Sequence, residues 1–205
     1  MFCRSPKDFD AFHRIMIEAH RLHPLRILSY CVMSNHWHFV VWPREEGEVT
    51  AFFRWLANTH AMRWRVAHRT VGYGHLYQGR FKSFPIEQDE HLLTVCRYVE
   101  RNPLTADLVP KAEEWRWSSL FVRENGPEEV RSILSDWPVP RRADWTAHVN
   151  QPLTRKEMDR LQLSLKRGRP FGNDRWVAKM SGKLGLGHTL RSEGRPKKPQ
   201  AEERN

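Results

Sequence analysis

Cysteine is scarce in this chain of 205 residues, which has only Cys3, Cys31 and Cys96. None belongs to a Cys-x-x-Cys motif, and an odd number cannot pair completely. The number and spacing of the cysteines therefore argue against a disulfide framework and against a zinc finger. We expect all three to be buried small residues.

Long apolar runs are also absent. No stretch approaches the roughly 20 apolar residues of a transmembrane helix, and no signal-peptide pattern opens the sequence. We therefore predict a cytoplasmic protein without a membrane partner.

Acidic residues are outnumbered by basic ones, 24 to 34, which gives a net charge of +10. Residues 151–205 hold 14 Lys and Arg against 6 Asp and Glu, whereas residues 1–150 hold 20 against 18. The excess charge therefore lies on a basic tail. Such a tail suits a polyanionic partner such as nucleic acid, and with it a nucleoid association.

Hydrophobic periodicity predicts an α+β protein. A helix is expected over 6–22, strands over 25–33 and 36–41, a long helix over 49–68, and a third helix from a cap at Asp89 to Asn102. Pro103 is expected to stop that third helix. We divide the chain into a catalytic domain (1–122), a linker region with at most one small helix (123–153), a basic helical DNA-binding extension (154–190) and a disordered basic tail (191–205).

Two histidines interrupt an apolar strand in the stretch 33–41, which reads MSNHWHFVV. In a strand His36 and His38 share one face, about 7 Å apart at their Cα atoms, while Trp37 points away. Two imidazoles on one face make half a metal site. Two polar residues on a half-exposed strand are the alternative interpretation.

Tyr98 and Asn102 are spaced i, i+4 on the third predicted helix and so share a face, roughly 6 Å apart. Each alone is compatible with core packing or a helix end. A metal held by His36, His38 and an oxygen of Asn102 would have mixed nitrogen and oxygen ligands, which suits Mg²⁺ or Mn²⁺ acting on phosphate. Tyr98 would then be placed to attack phosphorus as a covalent nucleophile.

Basic residues with a predicted role in DNA binding occur in three segments. Residues 75–86 mix aromatic and basic side chains, as single-strand binding sites do, although ordinary packing explains them equally well. Residues 167–170 and 194–198 resemble the Gly-Arg-Pro core of an AT-hook, in which an extended arm enters the minor groove. The candidate DNA-binding residues are Arg80, Lys82, Arg167, Arg169, Arg195 and Lys197.

The segments YCVMSNHWHFVVWP and YVERNPLTADLV together resemble the single-tyrosine HUH (IS200-like) transposases, and within them the REP-associated tyrosine transposases. The segments GHLYQGRFKS and EWRWSSL and the basic tail extend the resemblance over most of the chain. It implies a ferredoxin-like antiparallel sheet, metal ligation by the two histidines, and Tyr98 as nucleophile. It also implies cleavage of single-stranded DNA at hairpin-forming palindromic repeats, leaving a 5′-phosphotyrosine and a free 3′-OH. Asn102 as third ligand is a departure, because related transposases use glutamine there.

A second departure concerns the first strand of that fold. The chain opens at MFCRSPKDF, with almost no room for a strand ahead of the first helix. We expect either a start that lies upstream or a truncated copy, and a gap in the sheet beside the histidine strand would favour truncation.

The sequence therefore leaves three functional hypotheses. The first is a metal-dependent DNA nickase and strand transferase, active as a monomer or homodimer. The second is a catalytically inactive or domesticated hairpin-binding protein. The third, a hydrolase of small phosphoesters, leaves Tyr98 and the basic tail unexplained.

Overall fold

The computed structural model describes residues 2–72, 74–79 and 81–191. Its helices are α1 (Pro6–Leu22), α2 (Glu48–Ala67), α3 (Glu90–Thr105), α4 (Ser119–Asn125), α5 (Glu128–Arg131), α6 (Trp145–Asn150), α7 (Arg155–Arg167) and α8 (Asp174–Lys183). Its strands are β1 (Ile27–Val32) and β2 (Trp37–Val41), which pair in antiparallel fashion. The predicted α+β class is confirmed.

Helix α1 has the bounds that its sequence pattern predicts. Ser5 precedes it as N-cap, Pro6 occupies its first turn, and the Asp8 carboxylate accepts a hydrogen bond from the Ser5 backbone N–H at 3.0 Å. This capping box satisfies amide groups that a helix start leaves unpaired. The apolar side chains of α1 then pack into the core beside β1, including Phe12 and Met16, which have no exposed surface.

Strand β1 is buried along its whole length, which explains its nearly continuous apolar sequence. It pairs with β2 in a register that sets Tyr30 opposite Phe39 and Cys31 opposite His38. Among the described residues, β2 forms a ladder with β1 alone. Within this described part of the chain, the histidine strand therefore has one edge without a partner strand.

The outer edge of β1 is covered by loop and side-chain groups. The Tyr30 N–H donates to the Ser119 hydroxyl at 2.9 Å, and the Val32 N–H donates to the Trp117 carbonyl at 3.0 Å. Farther along, the Ser135 N–H donates to the Ile27 carbonyl at 2.8 Å. These bonds satisfy backbone groups that would otherwise be buried and unpaired.

Helix α3 packs against β1, β2 and α6. The prediction that Pro103 stops this helix is wrong, because α3 continues to Thr105. Proline removes only its own N–H, and helical bonding resumes where the Ala106 N–H reaches the Asn102 carbonyl at 3.0 Å. One missing bond in the last turn does not end the helix.

The region after α4 contributes to the core. Trp145 and Val149 of α6 are buried together with Leu161 of α7 and with Phe171. Two short helices, α5 and α6, occur in residues 123–153, where we expected at most one. The division of the chain into functional units stays a prediction.

The three cysteines are free and buried, as expected. Burial raises the pKa of the Cys31 and Cys96 thiols well above their usual value, which keeps them protonated and unreactive. Over the described residues, every helix is too short or too polar to span a membrane.

Candidate functional site

The two histidines lie at the start of β2. His36 immediately precedes the strand and His38 is its second residue, so the alternation of a strand places both rings on one side. Their ring centroids are 4.9 Å apart. Trp37 points to the other side and stacks on Phe53 of α2 at 5.1 Å, which anchors the strand in the core.

Tyr98 of α3 lies next to this pair. Its ring centroid is 5.5 Å from that of His38, and its side chain is half-buried. The fold therefore brings His36, His38 and Tyr98 into one series of ring contacts, although the tyrosine is 60 residues away from His38 in sequence.

Asn102 lies one helical turn after Tyr98, where the sequence places it. Its side-chain N–H donates to the Tyr98 carbonyl at 2.8 Å, which leaves the amide oxygen available. Within the described residues, no hydrogen bond or ring contact joins Asn102 to either histidine. Its part in a metal site stays a prediction.

Burial governs the protonation of these groups. It lowers the pKa of His36, and it lowers that of His38 to about 4, with a further contribution from the neighbouring His36. Both imidazoles are therefore neutral near pH 7 and carry the lone pair that a metal ligand needs. His36 Nδ1 lies 2.7 Å from the Asn35 side-chain oxygen, and a proton on Nδ1 would leave Nε2 free to ligate.

The Tyr98 hydroxyl is held in its protonated form. Burial raises its pKa, and a side-chain interaction with Asn102 acts in the opposite direction. A nucleophilic phenol in this position therefore needs help in losing its proton. A divalent cation held by the two neutral imidazoles would provide that help, and an amide oxygen from Asn102 as a further ligand stays a prediction.

A groove of about 960 Å³ leads away from the two histidines. One face of α2, from Thr50 to Val66, forms its floor, and aromatic side chains line it near the histidines. Three exposed apolar residues are gathered at its far end: Met62, Val66 and Val71. Arg54 and Lys82 are exposed on its walls.

A second group of ligand atoms was missed by the sequence reasoning. Glu87, Asp89 and His91 can each place one ligand atom within 4.8 Å of the others. Their alternate spacing, Glu-x-Asp-x-His, was the available signal. Asp89 also caps α3 by accepting from the His91 N–H at 2.8 Å, and Glu87 accepts from the Asn173 N–H at 2.7 Å. This group could hold a divalent cation, and its hydrogen bonds join the start of α3 to the loop before α8.

A buried carboxylate, Glu100, was also missed. It lies two residues after Tyr98, has no exposed surface, and accepts hydrogen bonds from Ser119, from Trp145 at 2.7 Å and from Ser29 at 3.3 Å. Burial raises its pKa, and these hydrogen bonds oppose the shift. Glu100 thereby fixes α3, and with it Tyr98, against β1 and α6.

The predicted DNA-binding residues are separated in the fold. Lys82 lines the groove beside the histidines, whereas Arg169 lines a cleft between α7 and α8. Arg80, Arg195 and Lys197 lie outside the described residues.

The first Gly-Arg-Pro segment does not form an extended arm. Arg167 is the last residue of α7, and Gly168 ends that helix with a left-handed φ of 69°. Pro170 and Phe171 are buried, and Phe171 forms a bridge with Ile86. A role of Arg167 and Arg169 in DNA binding stays a prediction.

Neutral imidazoles, a half-buried tyrosine and a basic, partly aromatic groove are together consistent with an enzyme that acts on nucleic acid. Comparison with known protein families supports this class, because residues 5–102 match the family described as transposase IS200 like. Over these residues the chain is therefore similar to IS200-like transposases. The matched segment covers just under half of the chain and contains both histidines, Tyr98 and Asn102. Searches of curated proteins and of solved structures found no match.

Proposed function

We propose that this protein is a metal-dependent endonuclease and strand transferase. It acts on single-stranded DNA beside hairpin-forming palindromic repeats, as REP-associated tyrosine transposases do. The observation that carries the proposal is the contact between His38 and Tyr98, with ring centroids 5.5 Å apart, at the end of the groove. This contact supports the proposal because the proposed nucleophile then lies beside the first of two imidazoles that could ligate a metal.

In this proposal His36, His38 and the Asn102 side-chain oxygen would hold Mg²⁺ or Mn²⁺. When bound, the cation would supply Lewis-acid polarisation of the phosphate. Tyr98 Oη forms a bond to phosphorus while the bond from phosphorus to the 3′-oxygen breaks. The phenolic proton passes through solvent to the leaving 3′-oxygen, which is released as a 3′-hydroxyl. The phosphotyrosine keeps the energy of the broken diester, so a second 3′-hydroxyl can displace Tyr98 and complete strand transfer.

The groove is where the single strand would lie. By the rise of an α-helix, the face of α2 from Thr50 to Val66 is about 24 Å long. Arg54 and Lys82 can neutralise phosphates along this path, and Tyr77 and Phe81 provide aromatic surfaces for unstacked bases. We further propose that the protein acts in the cytoplasm, as a monomer or a homodimer.

The decisive experiment is a search for the covalent adduct. Labelled hairpin DNA with a single-stranded flank is incubated with the protein and Mg²⁺ or Mn²⁺, and adducts are resolved on a denaturing gel. We expect an adduct with the wild type and none with Tyr98→Phe. Tyr30→Phe is the matched control. Tyr30 is a buried tyrosine whose hydroxyl forms a hydrogen bond with His13 of α1, away from the two histidines of the site. An adduct that survives Tyr98→Phe would exclude Tyr98 as the nucleophile.

A second candidate is a catalytically inactive or domesticated protein that binds hairpin DNA. One observation favours it: in the described part of the chain, the histidine strand β2 has a partner strand on one side only. This candidate predicts hairpin binding with no adduct, even at high Mn²⁺ concentration.

A further inference from the structure

The exposed face of α8 is basic along its whole length. Arg175, Lys179 and Lys183 are spaced four residues apart, so they follow one another on this face at intervals of about 6 Å. The opposite face carries Val177 and Ser181, which are buried. The helix therefore packs on the protein with one side and presents three cations on the other.

The positions between these cations hold small residues, Ala178 and Gly182, both exposed. A Cβ atom added at Gly182 would meet nothing within 4 Å, and its φ lies outside the left-handed region, so neither packing nor backbone conformation requires glycine. Glycine is unfavourable inside a helix, and like charges four residues apart repel one another. Helix stability therefore does not explain why cations and small residues share this face. The close approach of a polyanion explains both, because the cations attract it and the small side chains leave room for it.

No acidic side chain neutralises the basic face. In the part of the chain that the structure describes, no ion pair or hydrogen bond involves the side chains of Arg175, Lys179 or Lys183. Asp174 is the one acidic residue of α8, and it lies in the first turn, where a carboxylate favours the helix dipole. A separate cleft of about 550 Å³ between α7 and α8 is lined by Lys156, Arg160 and Arg169 together with Asp174.

The chemistry of this face differs from that of a single-strand site. Single strands bind where aromatic side chains can stack on unpaired bases, as in the groove beside His38. The exposed residues of α8 include no aromatic and no large apolar side chain that could enter a membrane, and Trp176 and Met180 are half-buried. A helix with cations and small side chains has the width and charge to enter the major groove of B-DNA, which is about 12 Å wide.

We propose that α8 binds double-stranded DNA, with its exposed face in the major groove of the hairpin stem. Arg175, Lys179 and Lys183 contact phosphates, and Ala178 and Gly182 let the helix backbone come close to the bases. The inference rests on the proposed function for the identity of the DNA, and it names the surface that holds the duplex part of the substrate.

The first test removes the charge and keeps the helix. Arg175, Lys179 and Lys183 are replaced together by Gln, and the binding of a short labelled duplex is followed by fluorescence anisotropy in EDTA at several salt concentrations. We expect the affinity to fall at least about 10-fold, and the salt slope to decrease by about 2.7, or 0.9 for each lost phosphate contact.

The matched control removes the same charge elsewhere. Lys7, Arg14 and Arg21 are exposed on α1, and their joint replacement by Gln should leave the salt slope unchanged. An equal loss in both triple variants would show a general charge effect and overturn the proposal. The same measurement is made with duplex RNA, and an affinity loss seen only for duplex RNA would also overturn the proposal.

The second test leaves the charge unchanged. Gly182→Leu should raise Tm, because leucine favours a helix and meets no obstacle here, and it should lower duplex affinity several-fold by blocking close approach. Unchanged or higher duplex affinity would contradict the proposal.

The failures of the two proposals can be told apart. EDTA removes metal chemistry from the duplex measurement, so a missing Tyr98 adduct with α8-dependent duplex binding counts against the proposed function alone. A Tyr98 adduct with duplex binding that does not depend on α8 counts against this inference alone.

Discussion

The groove beside the histidines and the exposed face of α8 are both basic, but they are built differently. In the groove Arg54 and Lys82 stand among aromatic and apolar side chains and lead to His38 and Tyr98. On α8 the three cations share the exposed face with Ala178 and Gly182, while the aromatic Trp176 is half-buried. The groove is concave and offers stacking surfaces, whereas the helix face offers charge alone.

This difference teaches that net charge does not identify the kind of nucleic acid a surface binds. Both surfaces can neutralise phosphates, but unpaired bases need flat apolar partners, and a paired stem offers its bases only at the groove edges. The excess charge in residues 151–205 therefore does not mark the proposed single-strand site, whose groove is lined almost entirely by residues 1–150.

The substitution expected to distinguish the two surfaces most strongly is at His38. His38→Ala removes a metal-ligating imidazole, so adduct formation on single-stranded DNA should fall by more than about 100-fold. Duplex binding in EDTA should not change. The measurements are the gel assay and anisotropy.

His23→Ala, at the end of α1, is the control for the loss of a histidine. If it lowers adduct formation as much as His38→Ala does, the metal site is not at His38.

A smaller effect is expected from the cations of the groove. Replacing Arg54 and Lys82 by Gln should lower the affinity for an unstructured single strand about 10-fold and decrease its salt slope by about 1.4, at 0.7 for each contact. Duplex affinity should stay the same, the reverse of the result expected for α8. Lys7→Gln with Arg14→Gln serves as control, and a parallel loss of duplex affinity would mean that the two surfaces are one site.

The smallest effect is expected at Glu100. Glu100→Gln keeps a side chain of the same shape but weakens its acceptance of hydrogen bonds, and it should lower the free energy of unfolding by about 1 kcal/mol. Adduct formation should slow by a few-fold, because Tyr98 is placed less firmly, while duplex binding in EDTA stays constant. Urea unfolding and adduct kinetics measure both. Unchanged kinetics despite lower stability would limit Glu100 to a purely structural role.

Local sequence patterns predicted the elements that carry the site. The helical period of the apolar residues predicted α1 over 6–22, because this signal depends only on neighbours in the sequence. The alternation of a strand similarly placed His36 and His38 on one side. The end of α3 was mispredicted. The hydrogen bond that Pro103 cannot donate costs little free energy in the last turn, and the helix continues to Thr105.

Features that depend on distant residues could not be read in this way. Glu100 is an ordinary charged residue in sequence, and only the approach of Ser119 and Trp145 makes its burial tolerable. Glu87 likewise has a structural role only through its hydrogen bond with Asn173, which lies 86 residues later in the sequence. The burial of Pro170 and Phe171 against the segment before α3 similarly turned an expected extended arm into a packed loop.

The hydroxyl of Ser119 has a consequence for how molecules of this protein meet one another. An open strand edge recruits strands from other chains, which is a common route to aggregation. At β1 the backbone groups of Tyr30, Val32 and Ile27 are already bonded to Ser119, Trp117 and Ser135. A strand from a second copy would find these positions taken, so this edge of β1 is protected from strand pairing between copies.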